Sequence, residues 1–427
     1  MRRWCKSMLH NGKRDKETAM GMNETPSSER MHIGFFGLRN AGKSSLVNAV
    51  TGQEMAIVSD VRGTTTDPVY KSMELLPMGP VVIIDTPGID DTGKLGEMRV
   101  RKTKQILNRT DVAVLVTDVT RELCPEEQEL LKLFDEKKIP HVIARNKADL
   151  LDEVPTVVTE VSEMHKECYT SAETGEGIYE LKETIAHMGR GDGMENRRLV
   201  ADLVKPMDVV ILVIPIDSSA PKGRLILPQQ QAIRDLLEAG AVSIAVRETE
   251  LKETFDKLAN PPALVITDSQ AFEKVSADTP ESVPLTSFSI LMARYKGFLE
   301  AAVEGAAMLD HLKPGDTVLI SEGCTHHRQC EDIGTVKLPN WLKKHCGFEV
   351  NFETSSGREF PEDLSKYALV IHCGGCMLNQ RELLYRMKCA QDQNVPFTNY
   401  GVSIAHMRGI LARSTAMLPG ITDILKE

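Results

Sequence analysis

Short apolar runs alternate with amphipathic segments along almost the whole chain. Typical pairs are HIGFFG followed by GKSSLVNAV, and VAVLVTD followed by PEEQELLKLFDEK. Runs of this length predict buried strands, and apolar positions spaced three and four residues apart predict helices. The alternation predicts an α/β fold in which helices cover mainly parallel sheets.

Changes in this pattern divide the chain into four segments. Residues 1–30 have no periodic apolar pattern and are predicted to form a flexible N-terminal extension, and a first α/β unit follows at 31–190. The glycine-rich polar stretch MGRGDGMEN predicts a linker. A second unit then covers 195–288, and a third covers 290–427 and opens with a predicted helix, LMARYKGFLEAAVEGAAMLDHL.

The composition is that of an ordinary globular protein, with 41% hydrophobic and 26% charged residues. A net charge of −10 argues against extensive contact with nucleic-acid phosphates. The apolar runs are far shorter than the ~20 residues of a membrane-spanning helix, so we expect neither nucleic acid nor membrane as a partner. Nine cysteines, some in C-x-x-C form, predict the cytoplasm or an equivalent reducing compartment such as an organelle matrix.

A phosphate-binding loop is predicted by GLRNAGKS at 37–44, which fits G-x-x-x-x-G-K-[ST] between a predicted strand and a predicted helix. In such a loop the backbone N–H groups approach phosphate oxygens, Lys43 adds positive charge, and the Ser44 hydroxyl binds Mg²⁺. The same pattern also occurs as a plain glycine-rich turn, so further motifs must decide between the two interpretations.

Three further motifs follow at predicted strand ends, in the order expected of a guanine-nucleotide site. In DTPG, Asp85 can hold magnesium through water and the Gly88 N–H can contact the γ-phosphate. In NKAD, the Asp149 carboxylate can accept hydrogen bonds from N1 and the 2-amino group of guanine, and in TSAETG the Ala172 N–H can approach guanine O6. Together the motifs predict GTP binding. The predicted nucleotide-binding residues are Asn40, Ala41, Gly42, Lys43, Ser44, Ser45, Asp85, Gly88, Asn146, Lys147, Asp149, Ser171 and Ala172.

Residues 31–188, with these motifs, resemble the TrmE-type and Era-type bacterial GTPases. The resemblance implies that RGTTTD is switch I, with Thr65 as the second magnesium ligand beside Ser44. It also implies a potassium ion, held by Asn40 and Thr64, that stabilises charge in place of an arginine finger. Switch II has no clear match for the catalytic glutamate of the TrmE-type enzymes, so no catalytic base is assigned. The residues expected to act in catalysis are Lys43, Thr65 and Gly88.

Two cysteine-rich loops follow predicted strands of the third unit, EGCTHHRQC after TVLIS and HCGGC after ALVIH. Because parallel strands end at the same edge of a sheet, Cys324, Cys373 and Cys376 are predicted to converge. Three thiolates with a neighbouring imidazole suit zinc in a Cys₃His site or an iron–sulfur cluster, and the spacing does not separate the two. Buried thiols without a metal are the simpler alternative.

The order C-x-H, 45 intervening residues, then H-C-x-x-C is similar to the signature of the FeFe-hydrogenase maturation GTPases, the HydF family. The order of domains also agrees along almost the whole chain outside the first 30 residues. The resemblance implies a P-loop GTPase domain, a dimerisation domain and a cluster-binding domain, in the order of the three units. The middle unit, with its run VVILVIPI, is then expected to form a homodimer or a higher oligomer.

The resemblance further implies a 4Fe–4S cluster held by Cys324, Cys373 and Cys376, with His326 or His372 as a candidate fourth ligand. Either histidine could instead orient a thiolate through a hydrogen bond. The implied function is a GTPase that accepts a di-iron precursor from two radical-SAM maturases and delivers it to apo-hydrogenase. Two rival functions are a zinc-containing tRNA- or ribosome-associated GTPase and a GTP-regulated metal-insertion chaperone for a different enzyme.

Overall fold

The computed structural model contains three separate sheets. It describes residues 26–52, 68–75, 78–88, 103–154, 157–189, 197–216, 225–323, 333–357 and 360–424. Most of the predicted N-terminal extension therefore lies outside the described residues. Within them, no helix is both long enough and apolar enough to cross a membrane.

The first sheet has seven strands in the order β2-β3-β1-β4-β5-β7-β6. They are β1 Met31–Gly37, β2 Val69–Leu75, β3 Gly79–Asp85, β4 Val112–Asp118, β5 His141–Asn146, β6 Val158–Ser162 and β7 His165–Tyr169. The inner strands are parallel, and β2 and β6 pair antiparallel at the two edges. These two edge strands were not predicted from the sequence, because polar residues occupy many of their positions, as an exposed edge allows.

Helices cover both faces of this sheet. They are α1 Lys43–Thr51, α2 at 103–107, α3 Pro125–Glu136 and α4 Ile178–Gly189. Alternate side chains of β1 enter opposite cores: Phe35 packs into the cluster that contains α1 and α4, and Phe36 into the cluster that contains α2 and α3. This alternation is the expected consequence of the two-residue period of a strand.

The second and third sheets are entirely parallel, in the orders β11-β10-β8-β9 and β13-β12-β14-β15. Their side chains share one continuous hydrophobic core. The strands are β8 Val209–Val213, β9 Val242–Val246, β10 Leu264–Thr267, β11 Leu285–Ser287, β12 Thr317–Glu322, β13 Asn351–Ser356, β14 Leu369–His372 and β15 Phe397–Asn399. The longer helices are α5 Leu227–Glu238, α6 Leu251–Lys257, α7 Phe272–Asp278, α8 Phe288–Tyr295, α9 Leu299–Ala306, α10 Leu338–Cys346, α11 Gln380–Gln391 and α12 Tyr400–Met407, followed by α13 Leu411–Thr415 and α14 Ile421–Ile424.

The single helix predicted at the start of the third unit is wrong, because the segment breaks between α8 and α9. Gly297 adopts a φ of +79°, which L side chains rarely adopt, and so ends the helical run. The turn points Lys296 into the protein, where its Nζ donates a hydrogen bond to the carbonyl oxygen of Leu378 over 2.8 Å. The break thus ties the second sheet to the loop that contains the HCGGC motif.

The run VVILVIPI corresponds largely to β8, which lies inside its sheet between β10 and β9. The side chains of Val210–Val213 are fully buried, so this strand cannot itself form a surface between two copies of the chain. The exposed apolar side chains of the second sheet lie elsewhere. Val242 on edge strand β9 is 39% exposed, and Leu237 at the end of the preceding helix α5 is 60% exposed.

Candidate functional site

The phosphate-binding loop connects β1 to α1 through two residues with positive φ, Asn40 at +61° and Gly42 at +82°. A Cβ atom on Gly42 would lie 2.2 Å from Nδ2 of Asn146, so this position requires glycine. That Asn146 amide donates a hydrogen bond to the carbonyl oxygen of Ala41 over 3.0 Å. The first and third of the predicted GTP motifs are therefore in direct contact.

The phosphate end of the site brings Lys43, Ser44 and Asp85 together. The Lys43 ammonium group donates to one carboxylate oxygen of Asp85, and the Ser44 hydroxyl donates to the other over 3.1 Å. Strands β1 and β3 pair in parallel, with Phe35 opposite Asp85. The phosphate-binding loop and the DTPG motif therefore lie at the same edge of the sheet. This places a cation and a magnesium-type oxygen pair at the start of α1, where a helix N-terminus favours anions.

The base end of the site is held by hydrogen bonds between the two later motifs. The Ala172 N–H donates to Oδ1 of Asn146 over 3.1 Å, and the Ser171 hydroxyl donates to Oδ1 of Asp149 over 2.5 Å. Asn146 thus bridges the phosphate-binding loop on one side and the TSAETG loop on the other. The Asp149 side chain is exposed, so its carboxylate is accessible to a ligand.

Asp118, at the end of β4, was not predicted as part of this site. Its carboxylate accepts a hydrogen bond from Lys147 Nζ over 2.6 Å. Burial raises the pKa of Asp118, but hydrogen bonds from Lys147 and Thr120 outweigh it and lower the pKa to about 2. The anion fixes the side chain of Lys147, whose backbone has a φ of +66°. The position of Asp118 at the end of the apolar run VAVLVTD was the sequence signal that could have identified it as a site residue.

Several predicted residues lie outside the described part of the chain, namely Thr64, Thr65, Cys324 and His326. Gly88 is described, three residues beyond the end of β3. The predicted roles of all these residues stay predictions.

The two cysteine-rich loops start from neighbouring parallel strands, with Ser321 of β12 opposite His372 of β14. The N–H of Gly323 donates to Sγ of Cys373 over 3.1 Å, and the N–H of Gly375 approaches the same sulfur at 3.4 Å. The residue directly before Cys324 therefore contacts Cys373. Two N–H groups aimed at one sulfur stabilise a thiolate, and such bonds to cysteine sulfur are typical of iron–sulfur sites.

The described cysteines of this edge, Cys373 and Cys376, are partly exposed free thiols. Desolvation raises the pKa of both thiols. The pKa of Cys376 rises to about 11, and the charge of the neighbouring Cys373 adds to this shift. Metal ligation displaces such protons, because a bound cation stabilises the thiolate. The donor set therefore fits a thiolate-ligated metal centre.

Lys296 supplies a buried positive charge behind these thiols. Burial lowers the pKa of Lys296 to about 8, although the negative charges of Glu29 and Cys376 oppose the shift. A buried ammonium group near Cys376 offsets the negative charge that several thiolates would bring together. Lys296 was not predicted as a site residue, because it becomes buried only through the break before α9.

Both ring nitrogens of His372 have hydrogen-bond partners among the described residues. Nδ1 lies 2.8 Å from the carbonyl oxygen of Cys373, and because a carbonyl only accepts, Nδ1 holds the proton. Nε2 then accepts from Nη1 of Arg386 over 3.3 Å. Burial and the Arg386 charge lower the pKa of His372 to about 3, so the ring stays neutral. The imidazole stacks on Phe397, with ring centroids 5.9 Å apart.

Arg386 on α11 is fully buried and connects the strands beneath the cysteine loops. Its guanidinium donates to the Glu382 carboxylate at 2.9 Å, to the Gly357 carbonyl at 2.7 Å and to the Ser321 hydroxyl at 3.4 Å. These partners come from α11, from the segment after β13 and from β12. The buried guanidinium therefore fixes the edge at which the cysteine loops begin.

The GTPase domain contacts the same helix. Arg109, shortly after α2, donates to Glu382 through Nε over 3.3 Å, and its carbonyl oxygen accepts from Asn379 Nδ2 over 2.7 Å. Asn379 also caps the N-terminus of α11. The helix that follows the HCGGC loop is thus held between its own domain and the nucleotide-binding domain.

Three protein-family models match the chain. "Hydrogen maturase F dimerization domain" matches residues 199–297, and "Hydrogen maturase F tetramerization domain" matches 300–417, the range that contains the cysteine loops. "50S ribosome-binding GTPase" matches 32–147. The chain belongs to the hydrogen maturase F family. The predicted family is confirmed, as is the fold of a P-loop GTPase domain followed by two α/β domains.

Curated relatives of this hydrogen maturase F chain include tRNA modification GTPase MnmE of Chromobacterium violaceum. The two sequences are 36% identical over 171 residues, and the match covers 39% of this chain and 37% of that protein. GTPase Der of Wolinella succinogenes is 34% identical over 181 residues, 40% of this chain and 38% of that protein. The chain thus spans less than two fifths of the length of these relatives. The matches identify a GTPase domain, which implies GTP and Mg²⁺ as ligands.

Solved structures with some likeness include a probable GTP-binding protein engB, at 25% identity and a TM-score of 0.30, covering 37% of this chain and 98% of that one. Another is Era of Aquifex aeolicus bound to GDP·AlF₄⁻, at 22% identity and a TM-score of 0.33, covering 50% of this chain and 91% of that one.

Replacing Arg386 by Met should destabilise the third domain strongly, because it leaves Glu382 buried with its charge poorly compensated. We expect a loss of about 3–5 kcal/mol in the free energy of unfolding. Urea denaturation followed by the fluorescence of Trp341, on α10 of this domain, measures the effect. The double variant Arg386→Met/Glu382→Gln should recover most of the loss. An unchanged denaturation midpoint in the single variant would show that the buried pair does not hold this edge together.

Proposed function

We propose that this protein is a GTP-binding scaffold and carrier in FeFe-hydrogenase maturation. It would hold a 4Fe–4S cluster, accept a di-iron precursor and transfer it to apo-hydrogenase. The observation that supports this most directly is the contact between the Gly323 N–H and the Cys373 sulfur. In a hydrogen maturase F chain, this contact brings the residue before Cys324 against the C-x-x-C loop.

The proposed cluster ligands are Cys324, Cys373 and Cys376. Because both ring nitrogens of His372 have partners, the Cys373 carbonyl and Arg386 of α11, its proposed role is to position the Cys373 backbone rather than to bind iron. His326 or a ligand from outside the chain would then complete the fourth position. When bound, the cluster would supply an exchangeable iron position to which the di-iron cargo attaches.

The proposed role of GTP hydrolysis to GDP and phosphate is to regulate contacts with the partners. Lys43, Ser44 and Asp149 would hold the phosphates, magnesium and the guanine base, with Thr65 and Gly88 on the switch loops. The partners in this proposal are the two radical-SAM maturases and apo-hydrogenase, in the cytoplasm or another reducing compartment. The contact of Arg109 with α11 connects the GTPase domain to the helix that follows the HCGGC loop.

Anaerobic reconstitution of the full chain tests the proposed cluster. Wild-type protein should take up iron and sulfide and give the EPR spectrum of a reduced cluster. Single Ser substitutions at Cys324, Cys373 or Cys376 should remove most of the iron, because they leave only two thiolate ligands. The same substitution at Cys346 on α10 provides a matched control that should leave the iron content unchanged. GTP hydrolysis should stay near the wild-type rate in all these variants. Protein that takes up zinc alone would favour the zinc-containing GTPase instead.

Replacing Asp149 by Asn should weaken GTP binding by about 2–4 kcal/mol, because charge-assisted hydrogen bonds to guanine are lost. An Asn amide can instead donate to the 2-oxo group of xanthine, so binding of XTP should improve. Calorimetric titration of the mutant and the wild type with GTP and with XTP measures this change in nucleotide preference. Equal GTP affinity in mutant and wild type would contradict the proposed role of this carboxylate.

Potassium should raise the rate of GTP hydrolysis several-fold relative to sodium at matched ionic strength. The reason is that Asn40, exposed at the tip of the phosphate-binding loop with a positive φ, is proposed to hold the ion together with Thr64. The Asn40→Ala variant should lose the difference between the salts while it still binds GTP. Identical rates of the wild type in potassium and sodium would refute the proposed potassium site.

Dimers are proposed to form through edge strand β9, because its outer backbone edge and the exposed side chains of Val242 and Leu237 can pair with a second copy. Val242→Lys should therefore shift the protein toward monomer in sedimentation at micromolar concentration. Val161→Lys is a matched control, since Val161 is 57% exposed on β6, an edge strand of the GTPase domain. Equal effects of the two substitutions would argue against an interface at β9.

A further inference from the structure

Three side chains in the third domain converge away from the cysteine loops. Asp310 ends the short 3-10 helix that follows α9, His345 lies in the last turn of α10, and His406 lies in the last turn of α12. One possible ligand atom from each of the three lies within 4.8 Å of the other two. No other such group of His, Cys, Asp or Glu occurs among the described residues.

The geometry of this group is close to that of a metal site. Nε2 of His345 lies 2.8 Å from one carboxylate oxygen of Asp310, and Nε2 of His406 lies 2.8 Å from the other. Zinc binds imidazole nitrogen and carboxylate oxygen at about 2.0–2.2 Å, so neighbouring ligand atoms are separated by roughly 3–3.5 Å. Shifts of about half an ångström would allow all three atoms to bind one ion.

Hydrogen bonding alone explains this convergence poorly. The Asp310 side chain is 51% exposed, and the imidazoles are 23% and 21% exposed. Exposed pairs of this kind contribute little to stability, while holding three side chains from three elements in one place reduces their conformational entropy. A divalent cation bound by all three side chains would form three ligand bonds and be attracted by the negative carboxylate. These interactions would outweigh the entropic cost of holding the side chains in place.

The surroundings leave one side of the group open. Trp341, Lys344, His345, Met407 and Arg408 line an adjoining surface cavity of about 300 Å³. Arg408 does not compete for the carboxylate, because it pairs with Glu273 at 2.7 Å and lies over the ring of Trp341. His345 is the member of the group that lines this cavity, so water or another small ligand can approach the site on that side.

We propose that Asp310, His345 and His406 form a binding site for a divalent first-row transition-metal ion of the zinc class, with at least one exchangeable position. This site belongs to different elements from the cysteine loops and supplies nitrogen and oxygen ligands in place of sulfur. Two imidazoles and one carboxylate with an open position is the ligand set of several catalytic zinc sites.

Cobalt is a suitable probe because its visible spectrum distinguishes thiolate from nitrogen and oxygen ligands. The full chain with Cys324, Cys373 and Cys376 replaced by Ser should bind Co²⁺ at one site, with d–d absorption and no thiolate charge-transfer band. Zn²⁺ should displace the cobalt. In the same background, His345→Gln and His406→Gln should each weaken cobalt binding by more than the 10–100-fold expected for loss of an outer hydrogen-bond partner.

His311→Gln is the matched control, because His311 is an exposed histidine next to Asp310 and lies outside the group. Its cobalt affinity should equal that of the triple-Ser background. Thermal unfolding monitored in parallel establishes that each variant is folded. The proposal is overturned if the triple-Ser chain binds no cobalt at millimolar concentration, or if the His345 and His406 variants bind it as well as the His311 control does.

Discussion

The buried guanidinium of Arg386 is the interaction on which the cysteine-loop edge depends. An arginine cannot lose its proton, so its charge and its N–H groups must find partners wherever it is buried. In this domain the partners are Glu382, the Gly357 carbonyl, Ser321 and His372. Each partner belongs to an element that leads into or supports the cysteine loops. The polar cluster formed by Arg386 and these four partners therefore fixes the position of the loops that hold the thiols.

The same polar cluster reaches the nucleotide-binding domain. Glu382 accepts hydrogen bonds from Arg386 within its domain and from Arg109 of the GTPase domain. Asn379 caps α11 and at the same time donates to the Arg109 carbonyl. Arg109 follows α2, the helix beyond the DTPG motif. In the proposed function, a nucleotide-dependent movement of that helix would act on α11 and on the loop before it.

The sequence predicted the parts of the site that depend on local order. GLRNAGKS, NKAD and the cysteine loops all follow buried parallel strands, and strand ends at one sheet edge bring such loops together. The residues that were missed depend on tertiary packing. Arg386 and Lys296 are single charged residues within helical patterns, where a charge is usually solvated, and their burial follows from neighbours far away in sequence. Likewise, both hydrogen-bond partners of the His372 ring, the Cys373 carbonyl and Arg386, are set by tertiary packing.

The most direct test of the central claim is transfer itself. The chain would be exposed to the two radical-SAM maturases with their substrates, isolated again without them, and added to apo FeFe-hydrogenase, and hydrogen evolution would then be measured. We expect the wild-type protein to activate the hydrogenase, and the Cys373→Ser protein to fail to do so although it hydrolyses GTP normally. Activation by iron-free, zinc-loaded protein would contradict the role of a cluster-bearing carrier.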